Sequence, residues 1–84
     1  VESYKALAYM YFSGAGLPID YKQAAAFYEK AAKKGDAEAK YLLGYMYGKG
    51  LGVQSDHDRM MYFMKAAAAQ GEPRARSFLS KVEA

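Results

Sequence analysis

The single histidine, His57, stands between Asp56 and Asp58, and it is the one place where an imidazole lies beside carboxylates in the sequence. A metal site or a general base needs its groups to converge on one point, whereas adjacent positions at a helix start point in different directions. Ser3, Ser13, Ser55, Ser77 and Ser80 have no histidine placed to suggest a nucleophilic triad. With no cysteine, disulfide scaffolds, thiolate zinc sites and cysteine nucleophiles are excluded. The glycine strings GAG at 14–16 and GKGLG at 48–52 invite comparison with phosphate loops. Such loops follow a strand and end in Gly-Lys-Ser/Thr, and neither condition is met, so glycine for tight turns is the better account. Lys30, Lys33, Lys34 and Lys40 form a basic cluster, but it is diluted by Glu29, Asp36 and Glu38, and the first three suit a helix C-terminus. No nucleic-acid partner, catalytic group, metal or cofactor is expected from these residues.

The elements that carry these residues follow from a repeat. Shifting the sequence by 36 residues places Leu7 on Leu43, Tyr9-Met10-Tyr11 on Tyr45-Met46-Tyr47, and Gly14 and Gly16 on Gly50 and Gly52. Asp20 falls on Asp56, Phe27 on Phe63, Ala31 and Ala32 on Ala67 and Ala68, and Gly35 on Gly71; Tyr21 takes the place of His57. A third, partial copy maps Ala39 to Ala75 and Leu43 to Leu79. Residues 1–36 and 37–72 therefore read as two units, and residues 73–84 as a further helix that caps them, all in one domain of 84 residues. Hydrophobic residues at 52% and charged residues at 25% allow a buried core, and no stretch is long and apolar enough to span a membrane. The net charge of +3 is too small to demand an anionic partner. The valine start, with no basic region ahead of an apolar one in Val1 to Tyr11, reads as a mature or excised segment.

Both halves of each unit have helical spacing. Ala39, Leu42, Leu43, Met46 and Tyr47 repeat at i, i+3, i+4, i+7 and i+8, as do Ala24, Phe27, Tyr28, Ala31 and Ala32 and their copies Met60, Phe63, Met64, Ala67 and Ala68. Asp20 and Asp56 suit helix N-caps, Gly35 and Gly71 suit left-handed C-termini, and Pro73 suits a first turn. Five helices are predicted, near 2–13, 20–34, 37–48, 56–70 and 73–83. Phe27, Tyr28, Phe63 and Met64 are expected to fill the space between layers, with a cost of ~3–5 kcal/mol for truncating Phe63 to Ala.

Ala39, Leu43, Gly44, Tyr47, Gly50, Gly52, Val53, Asp56, Arg59, Phe63, Ala67, Ala68 and Gly71 together resemble the SEL-one-like repeat, a relative of the tetratricopeptide repeat. Departures are Ala8 in place of the glycine seen at Gly44, Met60 in place of the small Ala24, and Ala66 in place of the basic Lys30. The resemblance implies an all-α fold, a right-handed α-α superhelix (solenoid) of two helical hairpins plus a C-terminal capping helix. It also implies a non-catalytic scaffold, in a bacterial envelope, periplasmic or cytoplasmic setting, that holds a protein or peptide along the concave face of its first helices.

Residues outside the core stripe of those first helices define that face. They are Glu2, Lys5, Tyr9 and Phe12 in the first unit, Glu38, Tyr41 and Tyr45 in the second, and Arg74, Ser77 and Lys81 in the terminal helix. Tyr and Arg suit interface hot spots, although Tyr9 and Tyr45 could equally pack against a neighbouring first helix. An alternative role is a spacer or self-assembling piece of a longer array, associating through exposed repeat ends.

Overall fold

The computed structural model describes residues 3–83, with side chains from Tyr4 to Val82. Among the described residues there are five helices and no strand: α1 (Ser3–Ser13), α2 (Tyr21–Lys33), α3 (Ala37–Lys49), α4 (His57–Ala69) and α5 (Pro73–Glu83). They lie within about two residues of the limits expected from periodicity and capping. Each helix packs on the next in chain order, so successive hairpins stack side by side.

The helix ends are built from local hydrogen bonds that recur with the repeat. The Asp20, Asp36 and Asp56 carboxylates accept from the backbone N–H groups of Gln23, Ala39 and Arg59 at 3.2, 2.9 and 3.1 Å. The Glu72 carboxylate accepts from the Arg74 N–H at 2.7 Å at the start of α5. At the other end, Gly35 and Gly71 take φ of +96° and +91°, and the N–H of the following acidic residue donates back to Ala31 and Ala67. The two long turns are anchored alike, with the Asp20 N–H donating to the Tyr11 carbonyl and the Asp56 N–H to the Tyr47 carbonyl. Gly14, Gly16, Gly50 and Gly52 all adopt positive φ, in agreement with the turn reading of the glycine strings. Gly52 is the most constrained of them: a Cβ there would collide with the Tyr21 carbonyl group and come within 2.6 Å of the Lys22 nitrogen, because this loop lies directly on the start of α2.

The core is made of alanines with a few large side chains between them. Ala8, Ala24, Ala39, Ala67 and Ala75 are fully buried, together with Tyr28, Leu43, Met46 and Met64. Small residues let helix backbones approach, and the large ones fill the remaining space to crystal-like density. Phe27 and Phe63 sit differently from expectation. They stack in parallel on Tyr11 and Tyr47, at 6.0 and 5.8 Å, as repeat-related pairs at the edge of the core, each keeping part of its ring exposed. The expected penalty for truncating Phe63 therefore has to be lowered, because only atoms removed from water contribute to it in full.

The departures from the repeat compensate one another. In the first unit, Phe12 on α1 packs against the core cluster that holds small Ala24 on α2; in the second, the equivalent positions are Gly48 on α3 and Met60 on α4, which approach each other closely. A Cβ on Gly48 would stand 2.7 Å from the Met60 sulfur, so the methionine fills from the second helix the space that a phenylalanine fills from the first. Gly44 is similarly tight, with the Met60 carbonyl at 3.2 Å and Met64 at 3.3 Å from an added Cβ.

Three substitutions test this packing by chemical denaturation. Met64→Ala should cost about 2–5 kcal/mol and Phe63→Ala only about 1–2 kcal/mol, reversing the order that side-chain size alone would give. Gly52→Ala should cost at least about 2 kcal/mol, from its left-handed φ and the contact with α2.

Candidate functional site

The first helices of successive units, α1, α3 and α5, are joined by a ladder of ion pairs. Lys5 Nζ on α1 lies 3.1 Å from Asp36 Oδ2 and 3.1 Å from Glu38 Oε1. Arg74 on α5 reaches Glu38 Oε2 and Glu72 Oε2, each at 3.2 Å, and its guanidinium lies 4.7 Å above the Tyr41 ring. Each cation thus bridges two carboxylates, and Glu38 at the start of α3 connects the two cations. Apart from Glu72, which is mostly covered, the side chains are partly open to solvent, so the pairs of Lys5 with Asp36 and Glu38 and of Arg74 with Glu38 contribute little stability, of order 0–1 kcal/mol each. Their more important effect is orientation: three side chains on three helices are held in one row.

Of the residues expected on this face, Lys5, Glu38, Tyr41 and Arg74 are brought together by the ladder. Tyr9 and Tyr45 are exposed, with 55% and 37% of their surface in water, and Lys49 Nζ lies 5.8 Å over the Tyr45 ring. Phe12 is half-buried, packed edge-on against Tyr21, Tyr28 and Tyr45 at 5.6, 6.4 and 6.4 Å, which makes it a seam between α1, α2 and α3. Ser77 and Lys81 are exposed on α5, and Glu2 lies outside the described residues. His57 is exposed at the start of α4, and among the described residues no three potential metal ligands converge.

Two clefts open between these helices, and they are related by the repeat. The first, of about 360 Å³, is lined by Lys5, Ala6, Tyr9, Tyr28 and Glu38. The second, of about 310 Å³, is lined among others by Tyr41, Tyr45, Met64 and Phe78. Lys5 and Tyr41, Tyr9 and Tyr45, and Tyr28 and Met64 are equivalent positions 36 residues apart. Sequence reasoning placed Tyr28 in the core but missed its hydroxyl, which is buried without a hydrogen-bond partner. A signal was present: Met64 fills the equivalent place with no polar atom, so packing alone does not require the phenol. Asp36 and Glu72 were not counted among the residues of this face, yet one carboxylate oxygen of each caps its helix and the second extends the ladder.

The titrations of these groups follow from their contacts. Hydrogen bonds from Lys5 to Asp36, and then to Glu38, raise the ammonium above its ordinary 10.5. Partial burial pushes the Asp36 carboxyl up, but the Ala39 N–H and Lys5 together hold it below 3.8. Arg74, by hydrogen-bonding Glu72, holds that carboxyl below 4.5. Burial, followed by the charge of Glu38, pushes the Tyr28 phenol above its usual 10.0. For the depressed carboxyls the added stability is present above their unfolded values and is lost as pH falls through the folded ones. For Lys5 and Tyr28 it is present below their unfolded values and is lost as pH rises through the folded ones. A series of thermal melts should therefore show stability falling in acid below pH 3.8–4.5 and again in base above pH 10.0. Asp36→Asn should flatten part of the acid limb and Tyr28→Phe part of the alkaline limb.

The sequence pattern described as the Sel1 repeat matches residues 1–36 and again 37–72. No curated protein sequence matches the chain. Among solved structures, a Sel1 repeat protein from Oxalobacter formigenes is 34% identical with a TM-score of 0.90, over 95% of this chain and 23% of that one. A protective antigen present in uropathogenic Escherichia coli strains, displaying an SLR fold, is 40% identical with a TM-score of 0.81, over 82% of this chain and 15% of that one. Helicobacter pylori cysteine rich protein B is 25% identical with a TM-score of 0.85, over 92% of this chain and 58% of that one. The chain thus spans less than two thirds of each of these proteins. Repeats of this kind generally serve as protein-interaction scaffolds and are typically non-catalytic. With both of its 36-residue units matching the pattern and its helices superposing on theirs, the chain belongs to the Sel1 repeat family of α-helical solenoids.

Proposed function

We propose that the chain is a non-catalytic scaffold that binds a protein or peptide along the face formed by α1, α3 and α5, the concave side of a Sel1-type superhelix. The observation that carries this reading is the pair of repeat-related clefts walled by Tyr9 in one unit and by Tyr41 and Tyr45 in the next. Tyrosines exposed beside apolar clefts offer area with a polar handle at small entropic cost, as interface hot spots do. The charges beside them are already tied into the ladder, so binding does not require long side chains to be ordered afresh. Residues 1–36 and 37–72 supply the face in this reading, and residues 73–84 close it. No helix among the described residues is long and apolar enough to cross a membrane.

A second reading, self-association at the end of the array, is favoured by α5. Val82 occupies the position of fully buried Met46 but is 49% exposed, and Leu79, the counterpart of buried Leu43, is only partly covered. Sedimentation velocity decides this point: a concentration-dependent dimer lost on Val82→Lys supports it, and a monomer at high concentration refutes it.

The main proposal is tested by selecting a random twelve-residue peptide display library on the wild type and on a Tyr9→Ala, Tyr45→Ala variant. These two side chains are exposed, so helicity by circular dichroism should be unchanged. Peptides enriched on the wild type should bind the variant at least about tenfold more weakly. Undiminished binding would assign the interaction to another face.

A further inference from the structure

Tyr62 on α4 is 67% exposed, more than any other large hydrophobic side chain among the described residues. The repeat does not require it, since its counterpart in the first unit is Ala26. Its ring meets Phe63 edge-on at 5.1 Å, and Phe63 in turn lies flat on Tyr47. Tyr62 and Phe63 form one wall of a pocket of about 290 Å³, which Ala66 and, from α2 and α3, Glu29, Ala32, Lys33 and Lys40 complete. This pocket lies at the junction of the two units and shares no lining residue with the clefts of the α1–α3–α5 face.

The first unit shows how the same place is filled from within. There Lys30 Nζ lies 5.4 Å over the Phe27 ring and 5.5 Å over the Tyr4 ring. Thirty-six residues later Phe63 is kept, but Ala66 stands for Lys30 and Lys40 for Tyr4. Ala66 is too short to reach over Phe63 as Lys30 reaches over Phe27. Lys40 is instead positioned from the turns, since it donates to the Gln70 side-chain carbonyl, and the Gln70 amide donates to the Gly35 carbonyl at 2.7 Å. That neutral amide orients the ammonium without cancelling its charge. Lys33 adds a second ammonium and Glu29 a single carboxylate, so two lysines against one glutamate leave the lining at +1. None of the three enters an ion pair among the described residues.

Ring area, two ammonium donors and one carboxylate acceptor are thus offered together. One carbon that carries a ring, a carboxylate and an N–H matches all three, and the α-carbon of a C-terminal aromatic residue is such a carbon. Its charge of about −1 balances the lining, whereas a free amino acid is zwitterionic and brings no net charge. A phosphorylated ring would bring about −1.5 to −2 charges to a pocket that already holds Glu29. The volume is suitable as well: a cavity of about 150 Å³ accepts a benzene ring, which leaves similar room for the carboxylate and the last peptide unit. Glu29, Lys33 and Tyr62 are exposed, so the rest of such a chain has an open way out.

We propose that the pocket between α2 and α4 recognises the C-terminal aromatic residue of a partner polypeptide, its ring against Tyr62 and Phe63, its carboxylate between Lys33 and Lys40, and its amide N–H on Glu29. The site stands apart from the α1–α3–α5 face and gives the scaffold a second, independent point of attachment.

The test is a titration of the isotope-labelled full chain, read from backbone amide shifts, with acetyl-Gly-Gly-Phe, its C-terminal amide and acetyl-Gly-Gly-Ala. The amide and the alanine peptide should each bind about tenfold more weakly than the first, for loss of the charged group and of the seated ring. Lys40→Gln should weaken the acid about tenfold and leave the amide unchanged, and Tyr62→Ala should weaken both phenylalanine peptides. Neither side chain is buried, so both variants should keep wild-type circular dichroism. The Tyr9→Ala, Tyr45→Ala variant should bind all three peptides as the wild type does. Equal binding of acid and amide would overturn the carboxylate contact and with it the site. Free phenylalanine binding as tightly as acetyl-Gly-Gly-Phe would overturn a chain terminus as the occupant. Shifts confined to α1 and α5, or none at millimolar peptide, would overturn the proposal outright.

Discussion

Close approach of helix backbones at alanine is the constraint on which the remaining structure depends. Ala24, Ala31 and Ala32 on α2 lie in one buried cluster with Ala8 on α1 and Ala39 on α3; Ala67 and Ala75 make the corresponding contact between α4 and α5. A longer side chain at these points would push successive helices apart. With the spacing held, ionic groups on first helices 36 residues apart come within hydrogen-bonding distance, as Lys5, Glu38 and Arg74 do. The polar row is therefore a product of the apolar seam beneath it. The turns reinforce the same spacing, since the Gln70 side-chain amide donates to the Gly35 carbonyl at 2.7 Å and also accepts from Lys40.

The two units reach equivalent shapes through different residues. Phe12 with Ala24, and Gly48 with Met60, distribute similar volume between first and second helix in opposite ways. Cores tolerate such exchange when total volume and pattern are kept. The exchange is not neutral for the surface. With a glycine at 48, the second cleft reaches down to Met60 and Met64, whereas in the first unit Phe12 packs edge-on against Tyr28 and the cleft is lined by Lys5, Ala6, Tyr9, Tyr28 and Glu38. Repeat divergence of this kind gives neighbouring clefts different chemistry on one scaffold.

The period, the helix limits, the Asp and Gly ends and the family were legible in the sequence, because each depends on contacts within about four residues or on self-similarity at a fixed shift. The identity of the most deeply buried side chains was less so. Phe27 and Phe63 share the apolar stripe with Tyr28 and Met64, and periodicity defines a sector of a helix without defining depth inside it. In the structure the neighbouring layer covers Tyr28 and Met64, while the phenylalanines are left stacked on Tyr11 and Tyr47 at the margin.

The face itself divides in the same way. Residue by residue, the sequence determined that Lys5, Tyr9, Glu38, Tyr45 and Arg74 lie off the core stripe, since that follows from helical geometry alone. Only the tertiary structure decided that Lys5, Glu38 and Arg74 join through Asp36 and Glu72, that Phe12 turns inward as a seam, and that the Tyr28 hydroxyl ends at a cleft without a partner. Those outcomes depend on the distance and angle between helices a full repeat apart, which no local pattern encodes.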